Sequence, residues 1–344
     1  MVVLPTRSLG RNGPLVPRLG LGLMGASGTY GLPNADAERL AFLDEAYKKG
    51  ERFWDTANKY GDSEELLGKW FAANPGKRQD IFLATKFGIK PNPGGKGMKG
   101  FTIDSTPEYC SECIDTSLER LGLPYVDLYY IHRLDKVTPI EKTMQAMVQL
   151  KNGGKIKYLG LSECSAESLR RAHAVHPITC VQMEYSPFCT DIESPTTQVL
   201  ETARELGVAV VAYSPLGNGV LSGKIRSRED VSGPGDSRGI LPWLREENIQ
   251  STVQVVDQIA EIAKTKGVTT AQLALAWLLK QGDDIFPIPG SSKIERLEEN
   301  LGSLSVSLSE EEEESVRKLA KSVVRERIQT MTGYAFADTP PLQE

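Results

Sequence analysis

The chain is predicted to fold as a single (β/α)8 TIM barrel with an N-terminal β-hairpin. Three observations carry this. Eight short runs rich in β-branched and aromatic residues alternate with helical patterns, the signature of a parallel sheet with crossover helices. They spread over about 320 residues, which suits a barrel better than a doubly wound sheet. Several of these runs end in chemically capable side chains, and the strand ends of a barrel are where its active sites lie. No internal repeat suggests a solenoid, and no linker divides residues 1–344, so one domain is expected, with an irregular tail from about 329.

In order, residues 5–17 read as a hairpin turning at Asn12-Gly13, a strong short-range turn signal. Strands are expected at Arg18–Met24, Arg52–Asp55, Ile81–Lys86, Val126–His132, Tyr158–Ser162, Thr179–Glu184, Val208–Ala212 and Ile285–Pro287. Helices are expected at Ala37–Lys49, Asp62–Phe71, Pro107–Leu121, Pro139–Asn152, Ala166–Val175, Pro195–Leu206, Gln250–Lys266 and Thr270–Lys280. Capping boxes are predicted at Asp62/Glu65, Thr138/Glu141 and Ser292/Glu295, and Ser309 opens a final helix that is acidic at its start. That helix turns basic toward Lys318, Lys321, Arg325 and Arg327 and reads as a solvated cover of the barrel. Two connections, 87–105 and 216–249, are long and glycine-rich; both follow strands, so both belong at the catalytic face as candidate lids. Tyr334 and Phe336 in the tail are placed to fold back over the mouth of the site.

Composition excludes several classes. The protein has 344 residues, 40% hydrophobic and 25% charged, as soluble globular chains do. Net charge is -5 and the pI is about 5.5, which argues against general nucleic-acid binding. No apolar run approaches the roughly 18 residues of a membrane span, and neither terminus reads as a targeting signal. Five scattered cysteines suit free thiols in a reducing compartment, so a cytoplasmic location is expected.

Three consecutive strands end in Asp55, Lys86 and His132, and Tyr60 lies on the loop just beyond the first. Taken singly, each has a plain structural reading: a turn residue, a surface lysine, a bonded histidine, a packed tyrosine. Neighbouring barrel strands converge at their ends, and together the four form a proton-transfer constellation. A phenol titrates near about 10 and is a poor acid at neutral pH. A nearby ammonium lowers that value, and Asp55 can keep a buried lysine charged. Tyr60 is then a general acid for a carbonyl oxygen, with His132 orienting the same oxygen. Such chemistry makes sense if hydride reaches the carbonyl carbon, and a nicotinamide cofactor is the obvious donor.

These four residues, with GLSEC, VQMEYSPF, AYSPLGNGVLSGK and PIPGSSKIERLEEN further on, resemble the aldo-keto reductases from about residue 5 to the end. The long middle loop and the FADTPPL tail are similar to a subgroup of plant and fungal reductases that includes perakine reductase. The resemblance implies NADPH-dependent reduction of aldehydes or ketones to alcohols, without a metal. It implies NADP(H) contacts from Gly22, Met24 and Asp55 at the first strands. Ser162 and Gln182 look like the carboxamide contacts, and Tyr213 like the ring that stacks on the nicotinamide. Ser214, Pro215, Leu216, Gly219, Leu221 and Lys224 look like the pyrophosphate loop. Lys293 and Arg296 would hold the 2′-phosphate, with Gly290 and Ser292 as further cofactor contacts, and Glu299 and Asn300 the adenine. Glu163 stands where many relatives have Asn. Trp54, Phe87 and Trp243, with Met24 and the tail aromatics, are the expected walls of an apolar substrate pocket.

Two motifs are set aside. Gly20-Leu21-Gly22-Leu23-Met24-Gly25 matches a dinucleotide fingerprint, but that motif must open a helix directly and Ala26–Ala35 intervene. Cys110-Ser111-Glu112-Cys113 falls inside a helix with no second pair, so packing is expected. His173 and His176 read as structural. The partner expected is a small carbonyl compound, with neither nucleic acid nor membrane. The alternative function is an NADP-binding regulatory or redox-sensing subunit of the same fold. It is disfavoured because the chain begins within a few residues of the hairpin. An isomerase or hydrolase on the same barrel would give Lys293 and Arg296 no role.

Overall fold

The computed structural model describes residues 3–92, 94, 100–324 and 333–342. The hairpin forms as β1 (Thr6–Ser8) and β2 (Leu15–Pro17), with Asn12 in the left-handed region that asparagine tolerates. Then follow β3 (Leu21–Gly22), α1 (Asp36–Lys48), β4 (Phe53–Asp55), α2 (Ser63–Ala73) and β5 (Phe82–Phe87). A second hairpin, β6 (Ile89–Pro91) with β7 (Phe101–Ile103), leads into α3 (Pro107–Leu121), β8 (Val126–Ile131), α4 (Ile140–Asn152) and β9 (Ile156–Ser162). The chain continues with α5 (Ala166–Val175), β10 (Cys180–Glu184), α6 (Val199–Leu206), β11 (Ala209–Tyr213), α7 (Glu246–Thr265) and α8 (Thr270–Lys280). It closes with β12 (Ile285–Pro287), α9 (Ile294–Gly302) and α10 (Glu310–Ala320).

β3, β4, β5, β8, β9, β10, β11 and β12 form one eight-stranded parallel sheet in that order. The sheet closes on itself: Gly20 N donates to Pro287 O at 2.9 Å, and Gly22 bridges Gly290. This seam explains the glycine run. A Cβ on Gly22 would lie 2.7 Å from the Ile288 carbonyl oxygen, and one on Gly20 would lie 2.8 Å from the Phe53 ring. The glycines allow the close approach of neighbouring strands, and the run leads into a 3-10 turn rather than the helix that a dinucleotide fingerprint opens.

Strand alternation separates two cores. Phe53, Ala84, Leu128, Tyr130, Cys180, Val211 and Phe286 fill the barrel, with Leu9 and Val16 of the first hairpin packed onto them. Trp54, Leu83, Phe87, Tyr129 and Ile131 face the helices instead, in one larger cluster. Glycine makes room in the inner layer too. A Cβ on Gly160 would lie 2.5 Å from the Tyr130 ring, whose face lies 5.5 Å from Lys86 Nζ.

Several local expectations are corrected. Asp62 does not cap α2, because both its oxygens accept from Arg39 at 2.8 Å. Thr138 does not cap α4; its hydroxyl donates to Asp135, and Glu141 pairs with Arg171. Ser292 and Glu295 form no box: α9 begins after Lys293, whose N–H donates to Ser291 Oγ. Two capping boxes that were not expected form instead, Ser309 with Glu312 at the start of α10 and Thr269 with Gln272 at the start of α8. The first barrel strand is shorter than expected, since Met24 begins a 3-10 turn. The 87–105 loop holds the β6–β7 hairpin rather than irregular chain. None of the described tail residues, Tyr334 and Phe336 included, lines the cavity mouth. Ala337 pairs with Cys164 and Glu163, and Thr339 Oγ1 accepts from Ile140 N, so the tail is fastened beside β9. Arg325 and Arg327 lie outside the described residues.

Gly160→Ala is expected to lower stability by about 1–3 kcal/mol, because a fully buried rigid ring must move. Denaturant unfolding checks this; an unchanged midpoint would show that Tyr130 has somewhere to go.

Candidate active site

Asp55, Lys86 and His132 share one alternation phase. Asp55 is two residues beyond the inward Phe53, Lys86 two beyond Ala84, and His132 two beyond Tyr130. The register sets Asp55 opposite Ala84 and Lys86 opposite Tyr130, so the three side chains enter the barrel at its C-terminal end. Lys86 is 0% exposed and Asp55 1%. Lys86 Nζ donates to Asp55 Oδ1 and, at 2.8 Å, to the Thr56 carbonyl. The other carboxylate oxygen accepts from Gln182 Nε2 at 2.8 Å. Tyr60 covers this pair, with Lys86 Nζ 5.0 Å from its ring centroid and the His132 ring 5.7 Å away, edge-on.

Burial penalises the Lys86 ammonium, but Asp55 and the Tyr60 oxygen outweigh it and hold Lys86 above the ordinary lysine value. Burial lifts Asp55 above the usual carboxylate range, with Lys86 opposing. Burial also raises the Tyr60 phenol, and the Lys86 charge only partly draws it back. This revises the expectation that the ammonium brings the phenol down: Tyr60 keeps its proton at neutral pH. His132 is pushed well below its usual value by burial, then by Arg133, Lys86 and Lys59, so its imidazole is neutral. Its Nδ1 has no hydrogen-bond partner among the described residues.

Above these residues opens a cavity of about 470 Å³. Of the residues expected at the site, Gly22, Met24, Asp55, Tyr60, His132, Ser162, Gln182, Tyr213, Ser214, Pro215, Leu216, Gly219, Gly290, Ser292 and Arg296 line it. Lys86 lies behind Asp55, and Leu221 is buried in the core. Lys224 and Glu299 pair with each other at 3.0 Å, which ties the loop after β11 to α9. Lys293 is exposed at the start of α9, and Asn300 is buried with its carbonyl accepting from Ser303. The expected substrate walls are corrected. Trp54, Phe87 and Trp243 are not among the lining residues. Trp54 and Phe87 are one strand position out of phase with the site, and Trp54 packs on Trp70 while Phe87 stacks on Tyr129. Trp243 lies half-buried against the outer core.

The structure adds residues that the sequence did not single out. Lys59 and Arg133 line the cavity beside Tyr60 and His132. Their one signal was adjacency to a site residue. Tyr30, Asn218 and Arg238 form a roof. The loop after β11 crosses to the loop before α1, where Asp236 bridges Tyr30, Ser237 N donates to Thr29 O at 3.2 Å, and Asn218 Nδ2 donates to Tyr30 Oη at 2.9 Å. No spacing rule brings residues that far apart together. Cys110 and Cys113 are buried and free, and burial pushes the Cys113 thiol up to about 11. His173 Nδ1 accepts from Ile178 N, a structural role. Among the described residues no group of three or more acids, histidines or cysteines is placed to hold a metal.

The Aldo/keto reductase family model matches residues 18–321. The chain belongs to the aldo/keto reductase family. Aldo-keto reductase str7 of Strobilurus tenacellus is 49% identical over 99% of both chains. Aldo-keto reductase yakc [NADP(+)] of Schizosaccharomyces pombe is 42% identical over 98% of this chain and 99% of its own. Among solved structures, the glycerol dehydrogenase AKR11B4 of Gluconobacter oxydans superposes with a TM-score of 0.79 at 25% identity, covering 98% of both chains. The thermostable aldo-keto reductase Tm1743, solved with the inhibitor epalrestat, gives 0.72 at 30% identity, covering 92% of this chain and 100% of that one. The aldo-keto reductases are NADP-dependent oxidoreductases, and this chain is one of them.

The residues present fit NADP(H). Arg296, at the cavity edge, and Lys293 form no ion pair among the described residues, so two cations are free beside the start of α9. Ser162 and Gln182 present polar groups at the far end. Between them, Ser214, Gly217, Asn218 and Gly219 all have positive φ, and a Cβ on Gly219 would lie 3.3 Å from Arg238 Nη1. Asn218 Oδ1 is buried with no partner among the described residues.

Asp55→Asn leaves a buried ammonium without its counter-charge and is expected to cost about 3–5 kcal/mol in denaturant unfolding. The double variant Asp55→Leu with Lys86→Met removes both charges and should recover most of that loss. An equal loss in the two would show that the ion pair is not what the single variant breaks.

Proposed function

We propose that the protein reduces aldehydes or ketones to alcohols with NADPH, and that Tyr60 donates the proton to the carbonyl oxygen. One observation carries the reading: the Tyr60 phenol, the Lys86 ammonium behind it and the His132 ring beside it meet at one end of the cavity. The nicotinamide, when bound, supplies hydride to the carbonyl carbon. Negative charge then develops on the carbonyl oxygen, where Tyr60 is a donor and a proton source. Lys86 stabilises the phenolate left behind, and Asp55 keeps Lys86 charged. Neutral His132 offers one N–H to the same oxygen without competing as an acid. Lys293 and Arg296 are proposed to hold the 2′-phosphate, Ser162 and Gln182 the carboxamide, and Tyr213 the nicotinamide face. The substrate is a small molecule, with apolar contact from Met24, Tyr30, Leu32 and Ile89. A cytoplasmic location is proposed on five buried, free cysteines. No helix among the described residues is long and apolar enough to cross a membrane.

Loss of NADPH absorbance with a reactive aromatic aldehyde tests the reading. Tyr60→Phe is expected to lower kcat by about 10²–10⁴-fold. A variant that keeps its kcat would remove Tyr60 from the chemistry, and NADPH binding without turnover of any aldehyde would favour a redox-sensing subunit. Lys293→Ala with Arg296→Ala is expected to raise the KM for NADPH by roughly tenfold or more while leaving that for NADH nearly unchanged. An equal rise for both cofactors would move the 2′-phosphate site elsewhere.

A further inference from the structure

We propose that the substrates of this reductase carry a carboxylate besides the reacting carbonyl, and that Arg133 and Lys59 bind it. The proposal rests on the reductase reading and adds the substrate class. Arg133 follows His132 directly, is 9% exposed and lines the cavity. Its Nη1 donates to the His132 carbonyl at 2.7 Å and to Ser162 Oγ at 3.2 Å. No acid pairs with it among the described residues, and its Nε and Nη2 have no partner there. Lys59 precedes Tyr60 and also lines the cavity. Its ammonium lies 3.3 Å from the centroid of the Phe101 ring, again with no acid paired among the described residues. Burial, with Arg133 adding to it, pulls Lys59 down to about 8.

The other cations at the cavity differ. Arg39 is held by Asp62 and Asp36, and Arg238 by Asp236. Arg296 stands at the β12–α9 edge, whereas Lys59 follows β4, two strands away round the closed sheet, and Arg133 follows β8, on the opposite side of the barrel. The acid of the inner wall, Asp55, is already taken by Lys86 and Gln182. The reacting end of the cavity therefore holds two cations in want of an anion. Charge withdrawn from water without a partner is costly, and a ligand carboxylate supplies the partner. The free Nε–Nη2 edge of a guanidinium presents two parallel N–H groups, the geometry that a carboxylate accepts. In the reaction the carbonyl carbon gains the hydride of NADPH and its oxygen a proton, giving a hydroxy acid and NADP⁺; the carboxylate is unchanged.

The test compares 3- and 4-carboxybenzaldehyde and 4-oxobutanoate with their methyl esters, by NADPH consumption. Ester substitution makes the aromatic carbonyls more electrophilic, so intrinsic reactivity does not favour the acids. We expect kcat/KM to favour the acid by on the order of tenfold or more in at least one pair. We expect that preference to fall at least about fivefold in Lys59→Gln and in Arg133→Gln. Lys59 sits on a half-buried loop, so Lys59→Gln carries the test if Arg133→Gln does not fold. A preference for the ester in every pair, or an acid preference that Lys59→Gln leaves intact, overturns the proposal. If the esters are reduced and Tyr60→Phe abolishes that, the reductase reading stands without it. If no aldehyde consumes NADPH, both fall.

Discussion

An ammonium buried to zero exposure inside a barrel has to have a counter-charge in contact, and the rest of this site follows from that constraint. Lys86 meets it with Asp55, on the neighbouring strand and in the same alternation phase. The Thr56 carbonyl and the Gln182 amide satisfy what the pair leaves over. Such a pair gains little stability over an apolar replacement, because desolvation offsets most of the attraction. Its presence at the centre of an otherwise apolar barrel therefore points to chemistry rather than to folding. Gly160, which leaves space for the Tyr130 ring beneath the ammonium, belongs to the same arrangement.

The electrostatics divide the labour. Tyr60 is raised by burial and keeps its proton, yet it lies against a permanent positive charge that favours its anion. A group so placed holds the proton until a stronger base forms beside it, which is the condition that an alkoxide meets. His132 is driven neutral by the same burial and by three surrounding cations. Tyr30, Asn218 and Arg238 roof the cavity, and Lys293 and Arg296, without an ion pair among the described residues, lie beside the start of α9.

Much of this was legible in the sequence. Asp55, Lys86 and His132 stood out because polar residues ended three apolar strands, and the strand phase that exposes one of them exposes all. That phase also decides what failed. Trp54 and Phe87 neighbour Asp55 and Lys86 in sequence, and the one-residue offset turns them into the helix layer. The capping boxes at Asp62 and Thr138 failed because each side chain had a competing contact that local spacing does not reveal, Arg39 taking Asp62 for example, and the one at Ser292 failed because α9 starts later, after Lys293. The meeting of residues 29–31 with 235–237 depends on how a long loop packs, which no periodicity encodes. Gly20 and Gly22 resembled a nucleotide motif and proved to be the seam of the barrel.

The central claim is that the Lys86 charge tunes the Tyr60 phenol. The direct measurement is the pH dependence of kcat/KM for oxidation of an alcohol by NADP⁺, where the proposed mechanism makes Tyr60 the base, in the wild type and in Lys86→Met. Removing the ammonium is predicted to move the rising limb of the profile to higher pH by roughly 1–3 pH units. A limb that stays at the same pH, with only the rate reduced, would contradict the account.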